Sequence, residues 1–518
     1  MTVQSEPASR AQHQLERFKV RLDNMPLFRR EGRVTQVVGT VVEADLPGVA
    51  VGALAEVGGV LAEVIGFREH QALLMPLGLI EGIAHGTTVK VLSQELTIPV
   101  GEGLLGRVVD PLGNPLDGRP LNQCAERRGL RSDAPSPMSR SLIRKSLPTG
   151  IRVIDGLLTL GEGQRVAVMA GSGVGKSTLM GMLARGSHAD VNVVALVGER
   201  GREVREFIEH DLGAEGMAKT VMVVATSDSS PVVQVKCVEA AMSVAEYFRD
   251  QGKSVMLMAD SLTRLAMAQR QIGLAAGEPP TTKGYTPSVF TMLPRLLERA
   301  GQGASGGSIT AICTVLVEGE DMDDPVADMV RGIVDGHMVM SRKLASHGHY
   351  PPIDVLQSLS RTMSLTASPA QQKAAGRIRD FLATWRENEE IIRLGAYKKG
   401  TDANVDKAVE MHPAIEAFLR QGVEERESWD SVLCQLGVLG EQNLGEGAAK
   451  AAPRSGRPAK TPAENGSPSA RTARKMADGS ASVNANRARR EKSNGNDAKT
   501  AKPAPKIKGV RRAPKKRR

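Results

Sequence analysis

The sequence Ala170-Gly171-Ser172-Gly173-Val174-Gly175-Lys176-Ser177-Thr178 follows a short apolar run and precedes a stretch with helical periodicity. Closely spaced glycines let the backbone curl so that several N–H groups point at one anion, and the start of a helix adds partial positive charge. A lysine and a hydroxyl at the end of such a loop suit a nucleoside triphosphate and its Mg2+. Only Ala170 departs from the strict pattern, which has Gly there, and a small residue still permits close approach. The stretch predicts a phosphate-binding loop between a strand and a helix.

The alternation of strand and helix continues on both sides of this loop. Apolar runs are separated by segments of helical periodicity; the runs are 165–170, 191–197, 254–259 and 308–317, and the helical segments are 176–185, 204–210 and 234–250. Apolar strands that alternate with helices indicate a parallel sheet covered by helices. We therefore predict an α/β domain over residues 103–368.

Two of the predicted strands end in a carboxylate. One run, VALVGE, ends at Glu199, and another, VMLMAD, ends at Asp260. The carboxyl ends of strands in an open α/β sheet line the ligand site. Hydrolysis of a phosphoanhydride needs a carboxylate that orients the attacking water. The Mg2+ ion bound to the phosphates is usually held by a second carboxylate side chain through a water molecule. These needs predict Glu199 as the water-activating residue and Asp260 as the Mg2+-associated residue.

The flanking segments have other patterns. Residues 31–102 contain short β-branched runs, such as 34–42, 60–65 and 87–92, between Gly-rich turns, which predicts a small β-barrel. We expect the turn-rich segment 106–118 to be the exit from that barrel. Residues 1–30 predict an amphipathic helix, and residues 369–445 predict a small helical domain. Residues 446–518 predict a disordered basic tail, because a segment without aromatics after residue 451 buries too little apolar area to offset its ordering entropy.

The overall charge of +10 divides unevenly along the chain. Residues 451–518 contain 20 Lys and Arg against 4 Asp and Glu, whereas the remainder contains 48 against 54. The body is therefore mildly acidic, and a basic pI does not indicate a nucleic-acid-binding body. No stretch approaches the ~18 apolar residues of a membrane span, and residues 1–10 lack the apolar core of a signal peptide, so we expect the cytoplasm. The four scattered cysteines form no CxxC pair, which argues against a zinc site.

Five further segments carry a family resemblance. They are GERGREVREF (198–207), DSLTRLAMAQR (260–270), GEPPTTKGYTPSVF (277–290), LVEGEDMDDPVADMVRGIVDGH (316–337) and HYPPIDVLQSLSR (349–361). Together they resemble the flagellar and type III protein-export ATPases, which share a superfamily with the α/β subunits of F-type and V-type ATPases. The resemblance covers roughly residues 25–440. It implies a RecA-like P-loop ATPase core with an N-terminal β-barrel and a C-terminal helical domain, and it implies ATP with Mg2+ as the cofactor.

The resemblance implies a role for each residue that matches a family motif. Lys176 matches the lysine of the phosphate loop and Ser177 the Mg2+-binding hydroxyl. Glu199 matches the water-activating glutamate, and Asp260 the Mg2+-associated aspartate. Arg361, directly after PPIDVLQSLS, matches an arginine finger that is offered to a neighbouring subunit's site.

Four more residues are placed near the nucleotide by the same resemblance. Tyr350 matches the aromatic that stacks on adenine, and Arg200 follows Glu199 in the nucleotide-binding segment. Arg264 lies in a matching motif that is functionally placed. Phe418 is a candidate second face of the adenine pocket, although Gln421-Gly422-Val423 lacks the aromatic of ATP synthase β.

The resemblance also implies partners and a location. An arginine finger supplied in trans requires an oligomer, and a single chain type would form a homohexamer. The family docks a peripheral-stalk-like regulator on its N-terminal segment and a γ-like coiled coil in its pore. Export-gate membrane proteins, exported substrates and their chaperones are further expected partners, at the inner face of the cytoplasmic membrane. The basic tail suits RNA, DNA, anionic lipid or an acidic protein, and its partner stays open.

Other interpretations compete with a flagellar export motor. An injectisome export ATPase is nearly as good a match. A rotary ATP synthase subunit is less favoured, because the helical domain lacks an acidic DELSEED-like segment. A hexameric nucleic-acid translocase would need aromatics on its barrel, and residues 33–110 contain only Phe67. A non-catalytic α-like subunit usually lacks the carboxylate found here at Glu199.

Overall fold

A computed structural model describes residues 30–317 and 323–441 of the chain. The predicted basic tail, 446–518, lies outside these residues, and so does the predicted helix 1–30 apart from its last residue. The described part contains a β-barrel, a central sheet covered by helices, and a group of C-terminal helices. The predicted fold class of the core and its two flanking domains is confirmed. No helix in the described ranges is both long and apolar enough to cross a membrane.

The barrel consists of six short antiparallel strands. They are β1 (Glu31–Val38), β2 (Val41–Asp45), β3 (Leu54–Val57), β4 (Val60–Arg68), β5 (Gln71–Pro76) and β6 (Thr88–Ser93). The sheet closes in the order β1-β2-β5-β4-β3-β6, and small aliphatic side chains such as Val34, Val42 and Val57 fill its interior. The run at 34–42 is a hairpin rather than one strand, because Gly39 reverses the chain with a φ of 58°.

The remaining strands build the central sheet and a small two-stranded sheet. They are β7 (Thr97–Val100), β8 (Arg107–Val109), β9 (Glu126–Gly129), β10 (Arg165–Ala170), β11 (Val191–Glu199), β12 (Thr220–Thr226), β13 (Ser254–Asp260), β14 (Gly301–Gln302), β15 (Ser308–Leu316), β16 (Gly336–Met340) and β17 (Ile353–Ser360). The central order is β17-β16-β10-β15-β13-β11-β12-β8, with β14 beside β15, and β7 pairs with β9. Neighbours are parallel except for β17 on β16 and β14 on β15.

Thirteen α-helices lie in the described ranges. They are α1 (Arg152–Leu157), α2 (Lys176–Gly186), α3 (Gly201–Glu206), α4 (Gly213–Ala218), α5 (Pro231–Asp250), α6 (Leu262–Ala276), α7 (Pro287–Glu298), α8 (Pro325–Ile333), α9 (Arg342–Ser346), α10 (Met363–Thr366), α11 (Pro369–Arg393), α12 (Ala403–Leu419) and α13 (Trp429–Leu439). Most central strands are apolar along their whole length because helices cover both faces of a parallel sheet.

Two local predictions differ from the structure. The segment 106–118 does not simply leave the barrel, because Arg107–Val109 pairs with β12 as the edge strand of the central sheet. The helix predicted over 204–210 is divided, since α3 ends at Glu206 and a π-helix follows at Phe207–Leu212. A π-helical turn inserts one extra residue, which local periodicity does not indicate.

The C-terminal helices are joined to the central domain through α1. The Arg152 Nε donates a hydrogen bond to the Phe418 carbonyl at 2.9 Å, and the Arg152 backbone N–H donates to the Gln421 side chain at 2.8 Å. The Arg152 side chain is buried, so these bonds form away from competing water. The loop after α12 is therefore fixed to the domain that carries the phosphate-binding loop.

Candidate active site

The loop between β10 and α2 forms the centre of the site. Gly173 and Gly175 have φ angles of 77° and 99°, which side chains other than hydrogen rarely permit. Gly175 caps α2, whose first turn carries Lys176, Ser177 and Thr178. The first N–H groups of a helix have no partner within the helix. The loop therefore presents backbone donors, a lysine and hydroxyls to a phosphate group.

The Asp260 and Glu199 carboxylates lie beside Lys176. The Lys176 Nζ is 2.5 Å from Asp260 Oδ1 and 3.9 Å from Glu199 Oε1. Asp260 ends β13 and Glu199 ends β11, which pair in parallel with Leu196 opposite Asp260. Three side chains that the sequence predicted from separate motifs therefore meet at one edge of the sheet.

Glu199 occupies a largely buried position with mixed charges around it. The Arg264 Nη2 is 3.3 Å from Glu199 Oε2, and Arg264 Nη1 donates to the Gly198 carbonyl at 2.6 Å. Burial, a hydrogen bond with Glu203 and the nearby charge of Asp260 raise the pKa of Glu199 to about 7. A carboxylate with a pKa near neutrality is suited to exchange a proton with an attacking water.

The oxygen atoms in this region fit a magnesium ion. Asp260 Oδ1 accepts a hydrogen bond from Thr314 Oγ1 at 2.7 Å, and Ser177 lies exposed in the first turn of α2. The described residues include no group of three or more His, Cys, Asp and Glu able to hold a metal ion. Mg2+ commonly binds through one or two protein oxygens together with phosphates and waters. Ser177 and Asp260 match that mode of binding.

Tyr350 lies beside the phosphate-binding loop. A methyl group built on Gly175 would be 3.8 Å from Tyr350 Cε1, and Tyr350 is 46% exposed. Phe418, in contrast, is 4% exposed and packs against Gly156 of α1. Burial leaves little of the Phe418 ring for a base, so Tyr350 is the better-placed aromatic.

Arg200 directly follows Glu199 in the chain. Its side chain is largely exposed and pairs with Glu203 at 3.1 Å, directly before α3 begins. The predicted contact between Arg200 and nucleotide stays a prediction.

Arg361 lies at the opposite edge of the sheet from the loop. The Arg361 N–H donates to the Asp335 carbonyl at 2.9 Å, and the Asp335 N–H donates to the carbonyl of Arg165, the first residue of β10, at 2.8 Å. The loop follows the last residue of β10, which is roughly 17 Å further along at ~3.3 Å per residue. The exposed Arg361 guanidinium bonds to none of the described residues. The chain therefore keeps Arg361 away from its own Lys176.

Sequence patterns did not indicate three residues that the fold brings to the site. Thr314 donates to Asp260, Glu203 bonds to Glu199, and the Arg342 Nη2 donates to the Ser172 carbonyl at 3.2 Å. The feature that could have marked Thr314 is its hydroxyl inside an aliphatic run, which forms the strand that pairs with the strand of Asp260. No local signal marked Glu203 or Arg342.

Three family models match the chain in succession. The β-barrel domain of the ATP synthase alpha/beta family matches residues 34–92, and its nucleotide-binding domain matches residues 150–360. The C-terminal domain of the type III secretion ATPase EscN matches residues 367–437. These matches follow the order of the barrel, the central sheet and the C-terminal helices.

Individual relatives are similar over most of their length. The flagellum-specific ATP synthase of Bacillus subtilis is 50% identical over 77% of this chain and 92% of its own. The type 3 secretion system ATPase of Xanthomonas euvesicatoria is 50% identical over 80% of this chain and 94% of its own. The structure of the assembled ATPase EscN from enteropathogenic E. coli has a TM-score of 0.76 at 42% identity and covers 79% of this chain and 100% of that chain.

The range matched by the nucleotide-binding domain includes the phosphate-binding loop and both carboxylates, and it ends at residue 360, directly before Arg361. The predicted family resemblance is thereby confirmed. The chain is an ATPase of the ATP synthase alpha/beta family and belongs to its branch of flagellum-specific and type III secretion ATPases.

Proposed function

We propose that this chain hydrolyses MgATP as one subunit of a homohexameric ring, and that the ring energises protein export through a flagellar-type type III apparatus. The observation that carries the ring is the position of Arg361 on the sheet edge opposite the phosphate-binding loop. Such an arginine serves a site only when a neighbouring chain presents its own loop to it. The names of the similar proteins, flagellum-specific ATP synthase and type 3 secretion system ATPase, support the export role.

The proposed chemistry divides among four side chains. Glu199 orients a water and takes one of its protons as the water oxygen bonds to the γ-phosphorus. The bond from the γ-phosphorus to the bridging oxygen breaks, and ADP leaves. Lys176 and the loop N–H groups stabilise the charge on the phosphate oxygens, and Arg361 of a neighbouring subunit does the same from outside. Mg2+ held at Ser177 and Asp260 would supply further charge neutralisation.

The surface around Arg361 supports a contact between subunits. Leu359 and Leu365 are exposed on either side of it, and Leu142 is exposed next to Ile143. Ile143 and Thr366 both pack close to Gly161, which brings the Leu142 loop to the Arg361 edge. We call Leu142, Leu359 and Leu365 the apolar rim. Exposed apolar side chains in one area mark interaction surfaces, and a repeated head-to-tail contact closes into a ring.

The remaining partners of the proposal follow the family. The assembled EscN was also solved with its central stalk EscO, at a TM-score of 0.74 and 41% identity to this chain. We extend this to a γ-like coiled coil in the pore of the ring here. A peripheral-stalk-like regulator on residues 1–30, export-gate membrane proteins, and exported substrates with their chaperones complete the proposed assembly. The proposed location is the cytoplasmic face of the inner membrane.

A mixing experiment tests the ring and the arginine finger together. Arg361→Ala keeps an intact loop and lacks the finger, whereas Lys176→Ala keeps the finger and lacks phosphate binding. Each variant alone is expected to be nearly inactive. In an equal mixture, about one quarter of the head-to-tail interfaces pair an intact loop with an intact finger, so activity returns in part. No recovery despite co-assembly, checked by sedimentation, would show that each site is completed within one chain.

An injectisome role is the second candidate, because the Xanthomonas relative matches as well as the Bacillus one. The two roles are separated by deleting the gene and measuring swimming motility and effector secretion. Loss of motility with normal effector secretion supports the flagellar role. The reverse pattern assigns the protein to an injectisome.

A further inference from the structure

Two contacts tie the segment that carries Tyr350 to α12 and the loop after it. The His349 Nδ1 donates a hydrogen bond to Glu416 Oε2 at 3.1 Å, and the Gln421 N–H donates to the Tyr350 carbonyl at 2.8 Å. The His349 side chain is 3% exposed, so the first contact is shielded from water. The Tyr350 ring next to it remains open to solvent beside Gly175. The backbone of this segment is thus fixed while the ring stays available to a ligand.

The Glu416 carboxylate is held by the helix on which it lies. The Arg420 Nη2 is 3.5 Å from Glu416 Oε2, and His412, stacked on Trp385, lies 3.9 Å from Oε1. The hydrogen bond from His349 is the main reason why the pKa of Glu416 is lowered, so the carboxylate is ionised. An ionised carboxylate only accepts hydrogen bonds, so the proton lies on His349 Nδ1.

Gln421 is held in place by several hydrogen bonds. It is buried, its side-chain oxygen accepts from the Arg152 N–H, and its amide donates to the carbonyls of Gly150 and Glu425 at 2.8 and 2.9 Å. Its own N–H is directed at Tyr350. The phosphate groups, in contrast, would contact residues at the ends of β10, β11 and β13.

We propose that Glu416 and Gln421 are positioning residues for Tyr350, so that the C-terminal helical domain sets the affinity for the nucleotide base while the sheet edge sets the affinity for phosphate. The proposal rests on the proposed function, since it takes an adenine nucleotide as the ligand of Tyr350. A displacement of α12 then alters base binding and leaves the groups around Lys176 in place. Glu416 acts through His349 and does not itself contact the nucleotide.

The test compares a ligand that has a base with one that has none. The full-length Glu416→Ala variant is titrated calorimetrically with ADP and with inorganic pyrophosphate, both in the presence of Mg2+. A base stacked on an aromatic ring supplies about tenfold or more in affinity. We expect the Kd for ADP to rise roughly 5- to 10-fold and the Kd for pyrophosphate to change less than twofold.

Two further variants distinguish positioning from a general structural effect. Glu416→Gln keeps an oxygen that accepts from His349 Nδ1, so its ADP affinity should approach that of the unmodified protein. Glu410→Ala removes an exposed carboxylate that pairs with Lys407 on the same helix, and it should leave both affinities unchanged. If Glu416→Ala does not fold, Glu416→Asp withdraws the carboxylate by one methylene and should weaken ADP in the same direction.

Tyr350→Ala separates failure of this inference from failure of the base site that the proposed function assumes. If Tyr350→Ala weakens ADP and not pyrophosphate while Glu416→Ala changes neither, the positioning role is overturned and the base site stands. If Tyr350→Ala changes neither affinity, both the base site and the positioning role are overturned. Equal weakening of ADP and pyrophosphate by Glu416→Ala would also overturn the inference, because it indicates a general loss of structure.

Discussion

The two ends of the central parallel strands differ in whether their charged groups are bonded within the chain. At the carboxyl end of β10, Lys176 already contacts Asp260 and approaches Glu199, and buried neighbours hold these groups in place. At the amino end of the same strand, Arg361 is exposed and its guanidinium bonds to none of the described residues. The carboxyl end carries charged groups that are bonded to one another, whereas the amino end carries the exposed Arg361 guanidinium beside the Arg165–Asp335 ion pair and exposed leucines.

In the proposed ring, catalysis and assembly would therefore depend on separate parts of one sheet. Groups that are held by their own chain are positioned before a ligand arrives. A group that is exposed and unbonded acquires a defined position only when another surface packs on it. Substitutions at the two ends should therefore have different signatures, one in turnover alone and one in turnover together with assembly.

The largest effect is expected at the carboxyl end of the central strands, where Glu199 lies. Glu199→Gln should lower kcat on the order of 10³-fold, because an amide does not accept the proton of the attacking water and general bases contribute about 10²–10⁴. ADP affinity and ring assembly should remain. Glu209→Gln, an exposed carboxylate that pairs with Arg205, serves as the control. A Glu199→Gln enzyme that turns over at near the original rate would remove Glu199 from the mechanism.

The second effect is expected at the apolar rim. Leu365→Glu should lower turnover about tenfold or more at a fixed chain concentration, since placing an unpaired charge in a contact costs at least ~1.4 kcal/mol. The sedimentation coefficient should fall with it, and ADP affinity should stay within about twofold. Leu394→Glu alters a leucine that is 82% exposed outside the rim and provides the matched control. Normal assembly of Leu365→Glu would place the subunit contact elsewhere.

A third, smaller effect concerns pH. The raised pKa of Glu199 means that its ionised form is present above about pH 8 and is lost as the pH falls through about 7, so kcat/KM should have an acid limb there. Glu203→Gln removes the neighbouring carboxylate that raises this pKa and should move the limb down by about one pH unit. At pH 6 this gives roughly a fivefold gain over the unmodified enzyme. If the unmodified enzyme and Glu203→Gln have the same pH profile, the acid limb of kcat/KM reflects protonation of the nucleotide and not of Glu199.

The smallest effect is expected from the basic tail. Deleting residues 451–518 should change the ATPase rate less than about twofold, because a segment of this composition contributes no core. The melting temperature with bound nucleotide should also be retained. A large fall in melting temperature would mean that the tail packs on the folded domains and that its composition misled the prediction.

Local patterns were sufficient for the parts of the site that lie where a strand ends. Lys176, Glu199 and Asp260 each follow an apolar run, and the geometry of a parallel sheet brings such ends together. The same reasoning predicted the strand before the loop and the helix after it. The fold class followed from the alternation of these patterns, and the barrel and the helical domain followed from the patterns of the flanking segments.

Features that depend on contacts distant in sequence could not be predicted in this way. Thr314 reaches Asp260 only because β15 pairs with β13, and the burial of Phe418 depends on the small surface of Gly156. The hairpin turn at Gly39 lay inside a run that had strand character throughout. A π-helical turn after Glu206 likewise leaves no periodic signature in a short segment.

Strand β17 also bears on the order in which the sites of the proposed ring would hydrolyse ATP. Tyr350 lies just before it, next to the chain's own phosphate-binding loop, and Arg361 lies just after it, at the far edge. β17 pairs with β16 at four residues and bulges between Asp354 and Leu359, where the Leu356 and Gln357 N–H groups donate to Asp354 Oδ1. Its two ends lie opposite Met340 and Gly336, roughly 13 Å apart at ~3.3 Å per residue. A displacement of α12, which holds the Tyr350 backbone through Gln421 and His349, would therefore be transmitted along this short strand to the arginine that the proposed ring places against the next subunit. In the proposed ring, the nucleotide bound at each site would then affect the next site in one direction around the ring, which favours sequential rather than simultaneous hydrolysis.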